Sequence, residues 1–208
     1  MSVKLIQYFD IISGHEEEFT KFAAKNYIPG VNETGLVKIA GTWKVSAGEG
    51  PTVIMEGVAE SVKNIHQLLE MDEFKKLIHL LHFLVTKYQT KILAPTGQVT
   101  TFVPEQTNYR FNRHFDIDYN QYQTYKKFME EEYIPTMERL GLKMIGKWYV
   151  ALGPGPNTVH ESTCPSVQQI LDVISSSEYQ NLTSQLLTMV KGLGSKILVP
   201  IDLSTAEQ

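Results

Sequence analysis

Tyr133-Ile134-Pro135, Gly141-Leu142, Gly146-Lys147-Trp148 and Gly153-Pro154-Gly155-Pro156 follow one another in the second half of the chain. The same series has already passed once, as Tyr27-Ile28-Pro29, Gly35-Leu36, Gly41-Thr42-Trp43 and Gly48-Glu49-Gly50-Pro51. The offset is 106 residues up to Gly35/Gly141 and 105 from Gly41/Gly146 onward, where Lys91-Ile92-Leu93-Ala94-Pro95 also returns as Lys196-Ile197-Leu198-Val199-Pro200. A repeat of this length is a tandem duplication of a whole folding unit. It divides the 208 residues into two units of ordinary small-domain size, residues 1–103 and 109–203.

Each copy reads as β-α-β-β-α-β. In the first, residues 3–10 have a strand-like rhythm, and Ser13 with Glu16 has the spacing of a capping box. Phe19, Phe22, Ala23 and Tyr27 predict a helix ending near Pro29, with a loop from Gly30 to Gly35. Strands 37–47 and 52–59 flank the Gly48–Pro51 turn. Ser61 opens a short helix, and Asp72 opens a longer one whose stripe runs through Phe74, Leu77, Ile78, Leu81, Leu84, Val85 and Tyr88. The expected last strand is 99–103, followed by a linker at 104–108.

The second copy gives a strand at 109–116, a helix striped by Tyr122, Tyr125, Phe128, Met129 and Tyr133, and a hairpin of 143–152 with 158–164. A second helical region runs to Leu193, a short strand spans 201–203, and a loose tail is expected from Ser204. Such units fold as four-stranded antiparallel sheets with both helices on one face. The bare faces would then close on each other as a pseudo-dimer, with a cavity or a packed core between them.

Composition excludes several functions. A net charge of −4 lacks the basic footprint of a nucleic-acid binder. No apolar run is long enough to span a membrane, and the first residues read as a strand rather than as a signal peptide. A lone cysteine, Cys164, permits no internal disulfide and fits a reducing compartment, so a cytoplasmic protein is expected. The glycine-rich turns join strand to strand and lack the dinucleotide fingerprint. His79 and His82 have no third ligand spaced to complete a metal site, so neither metal nor cofactor is expected.

The second copy resembles the NIPSNAP family of the dimeric α+β barrel superfamily. The likeness rests on Ile134-Pro135, Gly146-x-Trp148, Gly155-Pro156-Asn157-x-Val159-His160 and Ser195-Lys196-Ile197-Leu198-Val199-Pro200. The first copy matches with Trp43, Gly50-Pro51 and Lys91-Ile92-Leu93-Ala94-Pro95-Thr96-Gly97, but Met55 replaces the histidine and Thr52 the asparagine. The resemblance implies an α+β barrel of two ferredoxin-like units and carries no single reaction. Relatives across the superfamily include cofactor-independent monooxygenases, polyketide cyclases and haem-handling enzymes.

Strand alternation sorts the candidate site residues. Val3, Leu5, Gln7 and Phe9, with Tyr109, Phe111, Arg113 and Phe115, form the more apolar set and should face the helices. Lys4, Ile6, Tyr8 and Asp10, with Arg110, Asn112, His114 and Asp116, should face the space between the sheets. His114 is a candidate general base, because imidazole titrates near neutrality. His160 is the second, since it replaces Met55 of the first copy; its neighbour Glu161 recurs as Glu56, which favours a structural pairing with Arg110 or Arg113. Arg113, Tyr149, Tyr8 and Glu161 complete the candidate ligand-binding set. Trp43 and Trp148 read as core.

The expected function is binding of a small apolar or aromatic molecule between the sheets, as in a cofactor-independent oxygenase, cyclase or isomerase. The alternative is a non-catalytic interaction protein whose barrel is filled by side chains such as Ile6, Tyr8 and Met55. Haem held by one histidine is a third reading. The two copies pair either within one chain or across a homodimer.

Overall fold

The computed structural model describes residues 2–100 and 108–203, the side chains of 97–100 excepted. In the first half the elements are β1 (Val3–Ile11), α1 (Glu16–Phe22), α2 (Ile28–Glu33), β2 (Lys38–Ala47), β3 (Val53–Ala59), α3 (Val62–Glu70), α4 (Asp72–His82) and β4 (Val85–Thr100). The second half repeats them as β5 (Tyr109–Ile117), α5 (Tyr122–Phe128), α6 (Ile134–Arg139), β6 (Lys143–Leu152), β7 (Thr158–Cys164), α7 (Val167–Ser175), α8 (Ser177–Leu187) and β8 (Val190–Pro200).

All eight strands close into one antiparallel barrel in the order β1-β3-β2-β8-β5-β7-β6-β4. Within each half the neighbours run β4-β1-β3-β2 and β8-β5-β7-β6, the ferredoxin-like order. The seams between halves are the β2–β8 and β4–β6 ladders. Both seams lie within one chain, and closure gives each strand a hydrogen-bonded neighbour on both sides.

Three cores result. Each half has an outer core between its sheet face and its helices. One is built on Phe9, Phe19, Tyr27 and Met55, the other on Phe115, Phe128, Tyr133 and Met137. The third fills the barrel with Ile6, Trp43, Ile54, Leu93, Trp148, Val150, Val159 and Leu198. The Gly-x-Trp repeat owes its glycines to this core. A Cβ on Gly41 would come within 2.3 Å of the Trp43 ring, and one on Gly146 within 2.2 Å of the Trp148 ring. Each indole therefore lies flat across its own strand.

Several sequence expectations need correction. The first helix does not end at Pro29. Ala23–Tyr27 forms a π turn in which the Ile28 N–H donates to the Ala23 carbonyl, and the chain continues as α2 with Pro29 in its first turn, where a missing N–H costs nothing. Met129–Tyr133 and Pro135 do the same in the second half. The Tyr-Ile-Pro motif is thus a bulged turn that directs Tyr27 and Tyr133 inward, and most of the expected 30–35 loop is helix.

The second helical region of each half is also shorter than its apolar stripe suggests. Leu84 and Val85 continue the period of Leu81, yet α4 stops at His82, and β4 begins at Val85 because it pairs with β1 on one side and β6 on the other. Likewise β8 begins at Val190, not at Ile201. Ser13 does not cap α1; the helix starts after His15, and the Glu16 carboxylate accepts from the Gly14 N–H. Asp72 is the first residue of α4 rather than its cap. The expected strand residues beyond Thr100, most of the linker and the tail from Ser204 lie outside the described residues.

Candidate functional site

The barrel interior is layered, and one layer is charged. Lys4 and Arg110, equivalent in the repeat, meet Glu56 and Glu161, also equivalent. Lys4 Nζ lies 2.9 Å from Glu56 Oε1 and also pairs with Glu161, while Arg110 Nη1 donates to Glu56 at 2.8 Å. Trp148 Nε1 donates to Glu161 at 2.8 Å. The cations also stack across the halves, Arg110 at 3.7 Å from the Trp43 ring centre and Lys4 at 4.4 Å from that of Trp148. Burial opposes ionisation of Glu56, but Arg110 and Lys4 outweigh it and hold the carboxyl below its ordinary range. Glu161 therefore belongs to a buried ion network, and the middle of the barrel is solid.

Above the central apolar layer the barrel opens. A cavity of about 250 Å³ is lined by Tyr8, Gln89, Lys91, Asn112, His114 and Lys196 and rimmed by the two turns at Glu49–Pro51 and Gly155–Pro156. Asp10 and Asp116 brace these turns. Asp10 accepts from the Thr52 N–H at 2.7 Å, and Asp116 from the Asn157 N–H at 2.8 Å.

His114 sits opposite Gly194 on β8. Burial, then the charges of Lys196 and Lys91, push its pKa below the usual histidine value, with Glu49 opposing. The ring is neutral at pH 7 and can accept a proton. Burial pushes the Tyr8 phenol well up, with Glu161 and Glu56 adding to the effect. Asn112 Oδ1 is buried in the cavity wall with no hydrogen-bond partner among the described residues.

The structure brings Tyr8 and His114 together and separates the remaining candidates from them. His160 is on the helix-facing side of β7, because successive side chains alternate and Glu161 takes the interior. There it is buried among Phe115, Tyr125 and Tyr133, with Nε2 at 2.8 Å from the Tyr125 hydroxyl. Burial, then Lys147 and Arg113, lower its pKa to about 3. Arg113 shares this outer core. It donates to the Tyr133 hydroxyl at 3.1 Å and lies against the rings of Tyr133 and Tyr179. Its repeat equivalent, Gln7, donates to Tyr27 at 2.6 Å and to Tyr88 at 2.7 Å.

Tyr149 is also outside the barrel, 50% exposed, because its neighbour Trp148 takes the interior. It borders an outer groove of about 290 Å³ with Tyr122, Tyr125, Lys126 and Lys147. Met55 faces the helices, so Ile6 but not Met55 contributes to filling the barrel. Sequence reasoning missed Lys91 and Lys196 as site residues, although both had marked the repeat; alternation from Leu93 and Leu198 would have placed them once β4 and β8 were read as strands.

Among the described residues no group of three His, Cys, Asp or Glu side chains could hold a metal ion. His79 and His82 pack edge-on against Phe83 and Tyr88. Cys164 is buried, with Sγ donating to the Ser166 carbonyl at 3.1 Å. No described helix is long and apolar enough to cross a membrane.

This architecture is the dimeric α+β barrel, with both ferredoxin-like halves supplied by one chain. Solved structures of that fold match over nearly the full length. A Lactobacillus acidophilus NCFM protein assigned provisionally as a monooxygenase superposes with a TM-score of 0.62 at 14% identity, over 96% of this chain and 93% of its own. A Fusobacterium nucleatum protein with the same provisional assignment gives 0.64 at 8%, over 97% and 93%. Chlorite dismutase from Candidatus Nitrospira defluvii, in complex with imidazole, gives 0.58 at 8%, over 99% and 93%. At these identities the likeness is one of fold. No protein-family model matches the chain, and no curated protein matches it in sequence.

Proposed function

We propose that the protein binds a small, flat organic molecule in the open mouth of the barrel and that His114 exchanges a proton with it. The observation that carries this reading is the placement of a neutral, half-buried imidazole in a cavity that also holds the Tyr8 ring and the unpartnered Asn112 oxygen. An apolar wall with a few convergent polar groups is the usual make-up of a ligand site. A neutral His114 would remove a proton from an acidic C–H or O–H group, the step that cofactor-independent oxygenases, cyclases and isomerases share. The provisional monooxygenase assignments of two structural neighbours are compatible with such chemistry. Relationship to the NIPSNAP family remains part of this proposal, supported by the motifs of the second half, as does the division into units 1–103 and 109–203. Haem is disfavoured, because about 250 Å³ is below the usual range even for drug-sized ligands, and His160 is enclosed by rings.

Native against denaturing mass spectrometry of the freshly purified protein is the test. A retained non-covalent mass that disappears in Tyr8→Trp, which fills the mouth, supports the reading. Retention by Tyr8→Trp places the ligand elsewhere.

The solid barrel middle favours one second reading, a non-catalytic interaction protein that uses its outer helices. It predicts a ligand-free wild type and loss of partner capture on substituting exposed residues on or next to the outer helices, such as Leu80, Phe83 and Leu187.

A further inference from the structure

Lys91 and Lys196 are repeat equivalents on β4 and β8, and each reaches across to the other half. Lys91 Nζ donates to the Gly155 carbonyl at 3.4 Å, and Lys196 Nζ donates to the Glu49 carbonyl. Both ammonium groups stand over the same Tyr8 ring, 5.5 and 5.7 Å from its centre. A lysine ammonium has three N–H donors, and one from each is accounted for.

Among the described residues neither lysine forms an ion pair with a carboxylate, although Lys4, Lys21, Lys75, Lys87 and Lys127 do. Nearby Asp10 is engaged by Thr52 and Lys87, and Glu49 offers its carbonyl. Two half-buried like charges over one ring, with the Asp10 and Glu49 carboxylates acting on Lys196 only from beyond ion-pair distance, raise each other's energy. Duplication retained both, while the residues between them diverged from Tyr8 to His114 and from Ile6 to Asn112.

We propose that Lys91 and Lys196 form an anion clamp, so that the molecule bound in the mouth is a small organic anion. Its charged group lies between the two ammonium ions, and its flat body covers the Tyr8 ring beside His114. Carboxylate and phosphate ester share this chemistry. Burial lowers both lysine pKa values; Lys91 adds to the effect on Lys196, while the carboxylates of Asp10 and Glu49 oppose it from beyond ion-pair distance. The inference rests on the mouth being the ligand site and specifies what that site selects.

Two measurements on the full chain test it. The first compares benzoate, phenyl phosphate and uncharged benzamide by calorimetry at fixed ionic strength. The anions should bind roughly tenfold or more tighter than benzamide, the scale of one charge-assisted hydrogen bond, and Lys91→Met/Lys196→Met should erase the difference. The tighter of the two anions names the preferred group. Equal binding of all three, blocked by Tyr8→Trp, overturns the clamp and leaves the mouth site standing.

The second follows the His114 titration by NMR with inorganic phosphate. Phosphate should raise the wild-type His114 pKa and leave that of the double variant unchanged. No response in the wild type, or the same response in both proteins, overturns the clamp, the latter marking an adventitious ion only. A thermal melt of the double variant separates lost binding from lost folding.

Discussion

Gly194 stands opposite His114 across the β5–β8 ladder, and a Cβ added to it would come within 2.2 Å of His114 Nε2. The imidazole lies on bare backbone, as the indoles of Trp43 and Trp148 do lower in the barrel. Tyr8, the repeat equivalent of His114, pairs instead with Gln89. The clearance that fits an imidazole into the mouth is therefore special to the second half.

Gly194→Ala should displace the His114 ring while leaving the barrel closed. Overpacking of this kind costs about 1–3 kcal/mol. A changed His114 chemical shift and titration, with an otherwise preserved amide spectrum, is the expected result; an unaltered His114 would show that the ring is not held by this contact.

His160 should make folding acid-sensitive. The unfolded chain takes up its proton near 6.5, but the folded chain resists until about 3. Across that window the unfolded state binds more protons, so stability is fully present above 6.5 and falls on acidification, by up to about 1.4 kcal/mol per pH unit. Carboxylates titrate in the same range, so the check is a comparison of urea midpoints with His160→Met, whose pH dependence should be flatter.

Tyr125 and His160 occupy the places of Phe19 and Met55 in the first half, and the pair changed together from apolar to hydrogen-bonded. Tyr125→Phe alone orphans a buried ring nitrogen at about 1–3 kcal/mol. The double variant Tyr125→Phe/His160→Met restores the first-half pairing and should cost less than the sum of the single changes, a coupling that a double-mutant cycle would read.

The ion network inside the barrel predicts a large loss from one deletion. Lys4→Met removes one of the two cations between Glu56 and Glu161 and leaves Arg110 as the other, and breaking a buried pair in this way costs about 3–5 kcal/mol. Denaturant unfolding gives the number directly. A loss under about 1 kcal/mol, the scale of an exposed pair, would show that water reaches this layer.

Lys87 and Gly192 hold the same place in the repeat and the same left-handed backbone, at φ +53 and +62. Each stands where its strand slips register, opposite Tyr8/Asp10 or His114/Asp116. A Cβ at Gly192 would meet nothing within 4 Å, so only the backbone opposes a side chain there. Gly192→Ala should cost about 1 kcal/mol, whereas Lys87→Gly should be close to neutral, since it relieves strain but gives up an exposed ion pair with Asp10 and adds unfolded-chain entropy. Thermal melts would show the asymmetry.

The sequence's apolar period misled where two structures share it. Leu81, Leu84, Val85 and Tyr88 fit one helix face, but the last two belong to β4, whose ladder partners lie in β1 and β6 and cannot be seen locally. The same error hid Lys91 and Lys196 as mouth residues. Tyr-Ile-Pro read as a stop because proline breaks a regular helix; the π turn before it removes the conflict.

From its residues alone the chain determined its duplication, its β-α-β-β-α-β units and which face of β1 and β5 each side chain takes, because repeat spacing and strand alternation are local properties. Tertiary structure alone decided that the middle of the barrel is filled by Lys4, Arg110, Glu56 and Glu161 between two indoles, and that His114 and His160 lie on opposite sides of the sheet. It also decided that two lysines a hundred residues apart share one tyrosine ring. These depend on how β2 meets β8 and β4 meets β6, and the pairing of distant strands sets which side chains become neighbours.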